Sequence, residues 1–141
     1  MHGITLTHTI DSAHRLTNYV GKCAKIHGHT YKFEVKAYAT VLQDAGFVAD
    51  FGEIKKILDE WDHHLLLFYL DPIVAEGPAY EPFWRELGTV LLSFNPTAEN
   101  MAHYLAEKIA RSLDLERCDV TVWETPKASA HGYFDKAELA P

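Results

Sequence analysis

The segment His27-Gly28-His29-Thr30-Tyr31-Lys32-Phe33-Glu34-Val35-Lys36-Ala37-Tyr38 decides how this chain folds. Tyr31, Phe33, Val35, Ala37 and Tyr38 mark a strand. In an extended chain alternate side chains share a face, so His27 and His29 point the same way, and Gly28 between them leaves room for an ion. Upstream stand Ser12-Ala13-His14-Arg15 and Cys23, so residues 14–29 hold three imidazoles and one thiol. Two histidines spaced in this way can grip one metal from a strand or loop edge, with His14 arriving from a neighbouring strand. Three neutral imidazoles and one open position describe a catalytic zinc site, because a structural site is closed by a fourth protein ligand. In a chain with nine histidines an HGH triplet can also be coincidence; His14 and Cys23 are what favour the metal.

From His2 to Ile10, the residues Ile4, Leu6, His8 and Ile10 alternate with Thr5, Thr7 and Thr9, which predicts a half-buried strand. Residues 11–30 have too little periodicity for a helix and read as a long connection that brings the histidines and Cys23 near the strand ends. The two strands form an antiparallel hairpin whose loop carries the chemistry.

Length and charge bound the rest. A chain of 141 residues, 48% hydrophobic and 23% charged, suits a single domain over 1–141 with one core. A net charge of −7 argues against a sequence-independent nucleic-acid binder, although a local basic pocket for a small phosphorylated ligand remains open. Cys23 and Cys118 are too few for a disulfide framework, and no signal pattern opens the chain, so a reduced, cytoplasmic setting is expected. The longest apolar run, Leu65 to Leu70, is too short to span a bilayer.

Asp50 as N-cap, with Glu53 three residues on, predicts a helix whose buried stripe is Ile54, Ile57, Leu58 and Trp61. At its end stand Asp62, His63 and His64. An Asp–His pair is a candidate proton-transfer unit, and equally a polar helix end where the dipole favours a charged imidazole. Residues 65–95, with Pro72, Gly77, Pro78 and Pro82, predict a short helix and an irregular excursion. Thr97 caps a second helix, with Met101, Tyr104, Leu105, Ile109 and Leu113 as its apolar stripe. Cys118, Val120 and Val122 predict a third strand, and residues 131–139 a fourth. Glu124 shares the apolar parity of the third strand, so it either meets a ligand with several N–H donors or sits at a fraying strand end. The expected architecture is α+β: a four-stranded antiparallel sheet with two helices on one face. Two open sheet edges predict a homo-oligomer.

Taken together, Ser12-Ala13-His14-Arg15-Leu16, Cys23 with His27-Gly28-His29-Thr30-Tyr31, Val48-Ala49-Asp50-Phe51, Trp61-Asp62-His63-His64, Asn95 to Asn100 and Val122-Trp123-Glu124-Thr125-Pro126 resemble the 6-pyruvoyltetrahydropterin and 6-carboxytetrahydropterin synthase family. The resemblance covers nearly the whole chain. It implies the tunnelling fold, in which sheets assemble into a barrel, commonly as a hexamer of two trimers with sites where subunits meet. It implies Zn2+ on His14, His27 and His29, Cys23 as general base, Asp62 and His63 as the partner proton-transfer pair, and Glu124, with Thr97, holding the pterin. Three residues between Cys23 and His27 resemble the carboxy branch. That branch converts 7,8-dihydroneopterin triphosphate into 6-carboxytetrahydropterin, acetaldehyde and triphosphate in 7-deazaguanine (queuosine-type) synthesis. The pyruvoyl synthase, and a zinc-containing pterin binder without turnover, are the alternatives. Two departures stand out: a long 65–95 region with Phe68, Phe83 and Trp84, and Thr9-Ile10-Asp11 where many relatives carry an aromatic.

Overall fold

The computed structural model describes residues 1–76 and 81–139, so Gly77 and Pro78 of the expected excursion lie outside the described residues, as does the Phe83 side chain. The chain runs β1 (His2–His14), β2 (His27–Ala39), α1 (Phe51–Asp59), β3 (Leu65–Phe68), α2 (Pro72–Ala75), α3 (Glu81–Glu86), β4 (Thr89–Leu92), α4 (Ala98–Ser112), β5 (Arg117–Thr125) and β6 (Ala128–Asp135). The strands form one sheet in the order β4-β3-β1-β2-β5-β6.

β1 and β2 pair antiparallel over their whole length, from His2 opposite Ala39 to His14 opposite His27. The ladder therefore reaches further than the sequence pattern implied, and the connection shrinks from 11–30 to 15–26. Within it a 3-10 turn at Lys22–Ala24 is tied back where the Leu16 N–H donates to the Cys23 carbonyl at 3.0 Å.

The expectation of four strands and two helices is corrected to six strands and four helices among the described residues. Leu65–Phe68 is a continuous apolar run with Leu65, Leu66 and Leu67 buried, and periodicity cannot separate such a run from a short buried helix. It pairs parallel to both β1 and β4, so the sheet is mixed rather than antiparallel. The last strand also differs: β6 begins at Ala128, and Lys136–Glu138 forms a 3-10 turn with Asp135 as its cap.

One face of the sheet carries Ile10, Tyr31, Phe33, Val35, Val120 and Val122, joined in a single core by Ile54 and Leu58 of α1 and Met101, Leu105 and Ile109 of α4. Each such fully buried side chain contributes about 1.5–3 kcal/mol. The opposite face, with Thr5, Thr7, Thr9 and Lys32, is exposed. Asp50 caps α1 by accepting from the Gly52 N–H at 2.7 Å, and Thr97 caps α4 by accepting from Asn100 at 3.2 Å. α4 lies so close to β6 that a Cβ on Gly132 would stand 2.5 Å from the His103 nitrogen. Among the described residues, no helix is long and apolar enough to cross a membrane.

Candidate functional site

The end of the β1–β2 ladder brings the three histidines together. Strand alternation sets His14 on the core face of β1 and His27 and His29 on the same face of β2. Their ligand atoms all lie within 4.8 Å of one another. Gly28 does not make room for an ion there: it pairs with Ala13 on the opposite parity, where a Cβ would approach the Ser12 carbonyl at 3.3 Å.

Two of the rings are oriented by backbone carbonyls. His14 Nδ1 meets the Pro96 carbonyl at 2.8 Å, and His27 Nδ1 meets the Lys25 carbonyl at 2.7 Å. A carbonyl only accepts, so both Nδ1 atoms carry the proton. In the neutral rings both Nε2 atoms are then acceptors, and they face each other at 3.1 Å. Two facing lone pairs need a cation between them. A proton on His14 is disfavoured, because burial, helped by the neighbouring His27 and His29, holds it down at about 4 even though the Pro96 carbonyl pulls the other way. Burial also lowers the pKa of His29, with Glu124 opposing it. Neutral imidazoles with pinned Nδ1 atoms are what a metal ion requires of histidine ligands. The cluster could hold a metal.

The Pro96 carbonyl is itself fixed. The Asn95 side chain makes a two-point clamp on Thr17, accepting from its N–H and donating to its carbonyl, both at 3.0 Å. The Asn95 carbonyl accepts from Thr97 N–H at 2.7 Å and Asn100 Nδ2 at 2.9 Å. Beside His14, Arg15 meets the fully buried Asp71 at 2.8 Å, and Asp71 also caps α2. The 65–95 region is thus anchored next to a candidate ligand.

Asp62 and His63 stand on the other side of β1, in the turn after α1. That turn docks on β1: the Asp11 N–H donates to Asp62 at 2.9 Å, His63 N–H to the Asp11 carbonyl at 2.7 Å, and Ala13 N–H to the His64 carbonyl at 3.0 Å. Asp62 and His63 Nδ1 lie 3.0 Å apart. The Asp11 N–H, then His63, holds the Asp62 carboxyl below the usual carboxylate range. His63 and His29 line one open cavity of about 550 Å³ together with Asp11, Gly28 and Thr30.

Glu124 sits on a β-bulge. Trp123 faces Ser129 and Thr125 faces Ala128, which leaves Glu124 as the extra residue. Trp123 and Thr125 line one cavity, whereas Glu124 lines another, of about 180 Å³, with Thr97, Leu16 and Ser129. Its charge is felt at His29 and at Tyr31. Cys23 is half-buried in its turn, whereas Cys118 is deep in the core, its thiol pushed up to about 12 by burial.

Of the residues singled out from sequence, the three histidines converge and Glu124 and Thr97 share a cavity. Asp62 and His63 pair with each other, and His63 shares a cavity with His29. Sequence reading missed the clamp by Asn95 and the anchor of Asp71 on Arg15. Asn95-Pro96 was a visible signal, but the work of Pro96 is done by its carbonyl, which carries no residue signature.

A three-histidine, metal-capable centre at one end of a helix-backed mixed sheet defines the class of protein. Residues 3–133 match the family described as 6-pyruvoyl tetrahydropterin synthase, and the chain belongs to that family. A Halobacterium salinarum protein named probable 6-carboxy-5,6,7,8-tetrahydropterin synthase is 36% identical over 127 residues, covering 86% of this chain and 79% of its own length. The Haemophilus influenzae 6-carboxy-5,6,7,8-tetrahydropterin synthase is 29% identical over 136 residues, covering 89% and 94%. The Plasmodium falciparum 6-pyruvoyl tetrahydropterin synthase structure shares the fold, with a TM-score of 0.64 at 18% identity over 95% of this chain and 98% of that one.

Proposed function

We propose that this protein is a zinc-dependent 6-carboxy-5,6,7,8-tetrahydropterin synthase, acting in the cytoplasm on 7,8-dihydroneopterin triphosphate in 7-deazaguanine synthesis. The observation that carries the metal is the facing pair of Nε2 atoms on His14 and His27, 3.1 Å apart, each ring pinned through Nδ1 by a carbonyl. The names of the relatives above and the Ala24-Lys25-Ile26 spacing before His27 support the carboxy branch.

His14, His27 and His29 would hold zinc, which would supply Lewis-acid polarisation of a ligand oxygen. Cys23, as the general base, takes a carbon-bound proton from the substrate side chain. Asp62 fixes the His63 ring for proton transfer, its own carboxylate kept ionised by the Asp11 N–H. Glu124 accepts hydrogen bonds from the guanidine-like edge of the pterin. The Thr97 hydroxyl oxygen accepts from Asn100 in the helix cap, which leaves its O–H free to donate into the same cavity. The Asp62–His63 half of the site is solvent-exposed in one chain, which supports assembly as a hexamer of two trimers with sites completed between subunits.

The test is to incubate zinc-loaded protein with 7,8-dihydroneopterin triphosphate, then identify the pterin by mass spectrometry and trap acetaldehyde. A 6-carboxy product with acetaldehyde supports the assignment. A 6-pyruvoyl product moves the protein to the other branch, and binding without product makes it a pterin-binding protein. Full turnover by zinc-loaded Cys23→Ala would remove Cys23 as the base.

A further inference from the structure

Tyr31, one of the residues that mark β2 in the sequence, has a fully buried ring that stacks nearly parallel to Phe33 at 6.3 Å. The other end of the side chain is different. The ring packs edge-on against His29 at 5.3 Å and His14 at 5.8 Å, and its hydroxyl is buried with no hydrogen-bond partner among the described residues. A buried donor without an acceptor is destabilising, so a sequence with nothing to gain from that oxygen would do better with phenylalanine.

The complementary group is one strand away. The β2–β5 ladder ends with Lys32 opposite Trp123, so the next residues along are Tyr31, on the core face, and Glu124, which lines the cavity with Thr97 rather than the one lined by Lys32 and Trp123. Among the described residues the Glu124 carboxylate accepts no hydrogen bond. It stands on a bulge, lines the cavity with Thr97, and its charge reaches both Tyr31 and His29. An unused buried donor and an unused acceptor thus occupy neighbouring positions on adjacent strands.

We propose that Tyr31 is a positioning residue for Glu124: its hydroxyl donates to one carboxylate oxygen while the other oxygen accepts from the N–H edge of a bound ligand. The inference rests on the reading of Glu124 as a pterin anchor. The carboxylate then keeps one orientation, and the Tyr31 donor is satisfied only in the occupied site. Removing the hydroxyl should therefore act in opposite directions on the empty and the occupied protein.

The test is titration of intrinsic fluorescence with neopterin for wild type, Tyr31→Phe, Glu124→Gln and the double variant, alongside metal content and thermal midpoint. Tyr31→Phe is expected to bind neopterin about tenfold more weakly, with unchanged metal content and an unchanged or higher midpoint. In the Glu124→Gln background the same change should cost nothing further, because the residue acts through Glu124. Wild-type affinity in Tyr31→Phe, or losses that simply add in the double variant, would overturn the proposal while leaving the pterin reading intact. Absence of neopterin binding by wild type would overturn the pterin reading and this inference with it.

Discussion

Two sets of histidines lie on either side of the end of β1, and they are built differently. His14 is 1% exposed, with its ring fixed by a carbonyl and its proton affinity suppressed by burial. The His63 side chain is 77% exposed, on a residue with φ of 56°, and is steadied mainly by Asp62. The first arrangement is complete within one chain. The second is a rigid backbone mount, four hydrogen bonds deep on β1, that presents an imidazole outward. His14 is fixed by the fold around it, whereas the His63 ring is left open to solvent.

The sharpest way to break the comparison is His27→Ala, which removes one of the two facing Nε2 atoms. Stoichiometric zinc binding should be lost, read by metal content after dialysis, with the sheet intact by circular dichroism. On the other side of β1, His63→Gly should retain zinc but reduce turnover by roughly 10²–10⁴-fold, the usual worth of a positioned acid or base. If zinc content fell as well, the two halves would not be separable.

The pH response of the metal-free protein probes the buried half alone. His14 titrates near 6.5 when unfolded and at about 4 when folded, so between those values the unfolded chain binds the extra proton. Stability should be fully present above about 6.5 and fall by about 3 kcal/mol as pH drops to 4. Denaturant titrations across that window measure it, and a flat profile would contradict the burial argument.

Smaller effects refine the picture. Asn95→Ala releases the clamp on Thr17 that steadies the Pro96 carbonyl, and zinc affinity measured by chelator competition should drop about 10–100-fold. The smallest effect is the stability of His63→Gly, expected to rise by about 1 kcal/mol because glycine adopts a positive φ without a steric penalty. Activity lost while stability rises would mark His63 as a residue kept for function.

The sequence by itself determined that β1 and β2 pair antiparallel, though not how far, together with the two capped helices and the convergence of His14, His27 and His29, because strand alternation and helix caps are local rules that residue spacing displays directly. It also flagged Glu124, which stands on a bulge and lines a cavity with Thr97. The 65–95 region was illegible for a physical reason: Leu65–Phe68 and Thr89–Leu92 are four-residue strands, too short for a period to show, and their parallel pairing depends on partners distant in the chain. Only the tertiary structure decided the rest. The Lys25 and Pro96 carbonyls orient the rings through backbone atoms that every residue possesses, the bulge separates Glu124 from its neighbours, and the unpaired Tyr31 hydroxyl becomes visible only once packing has closed around it.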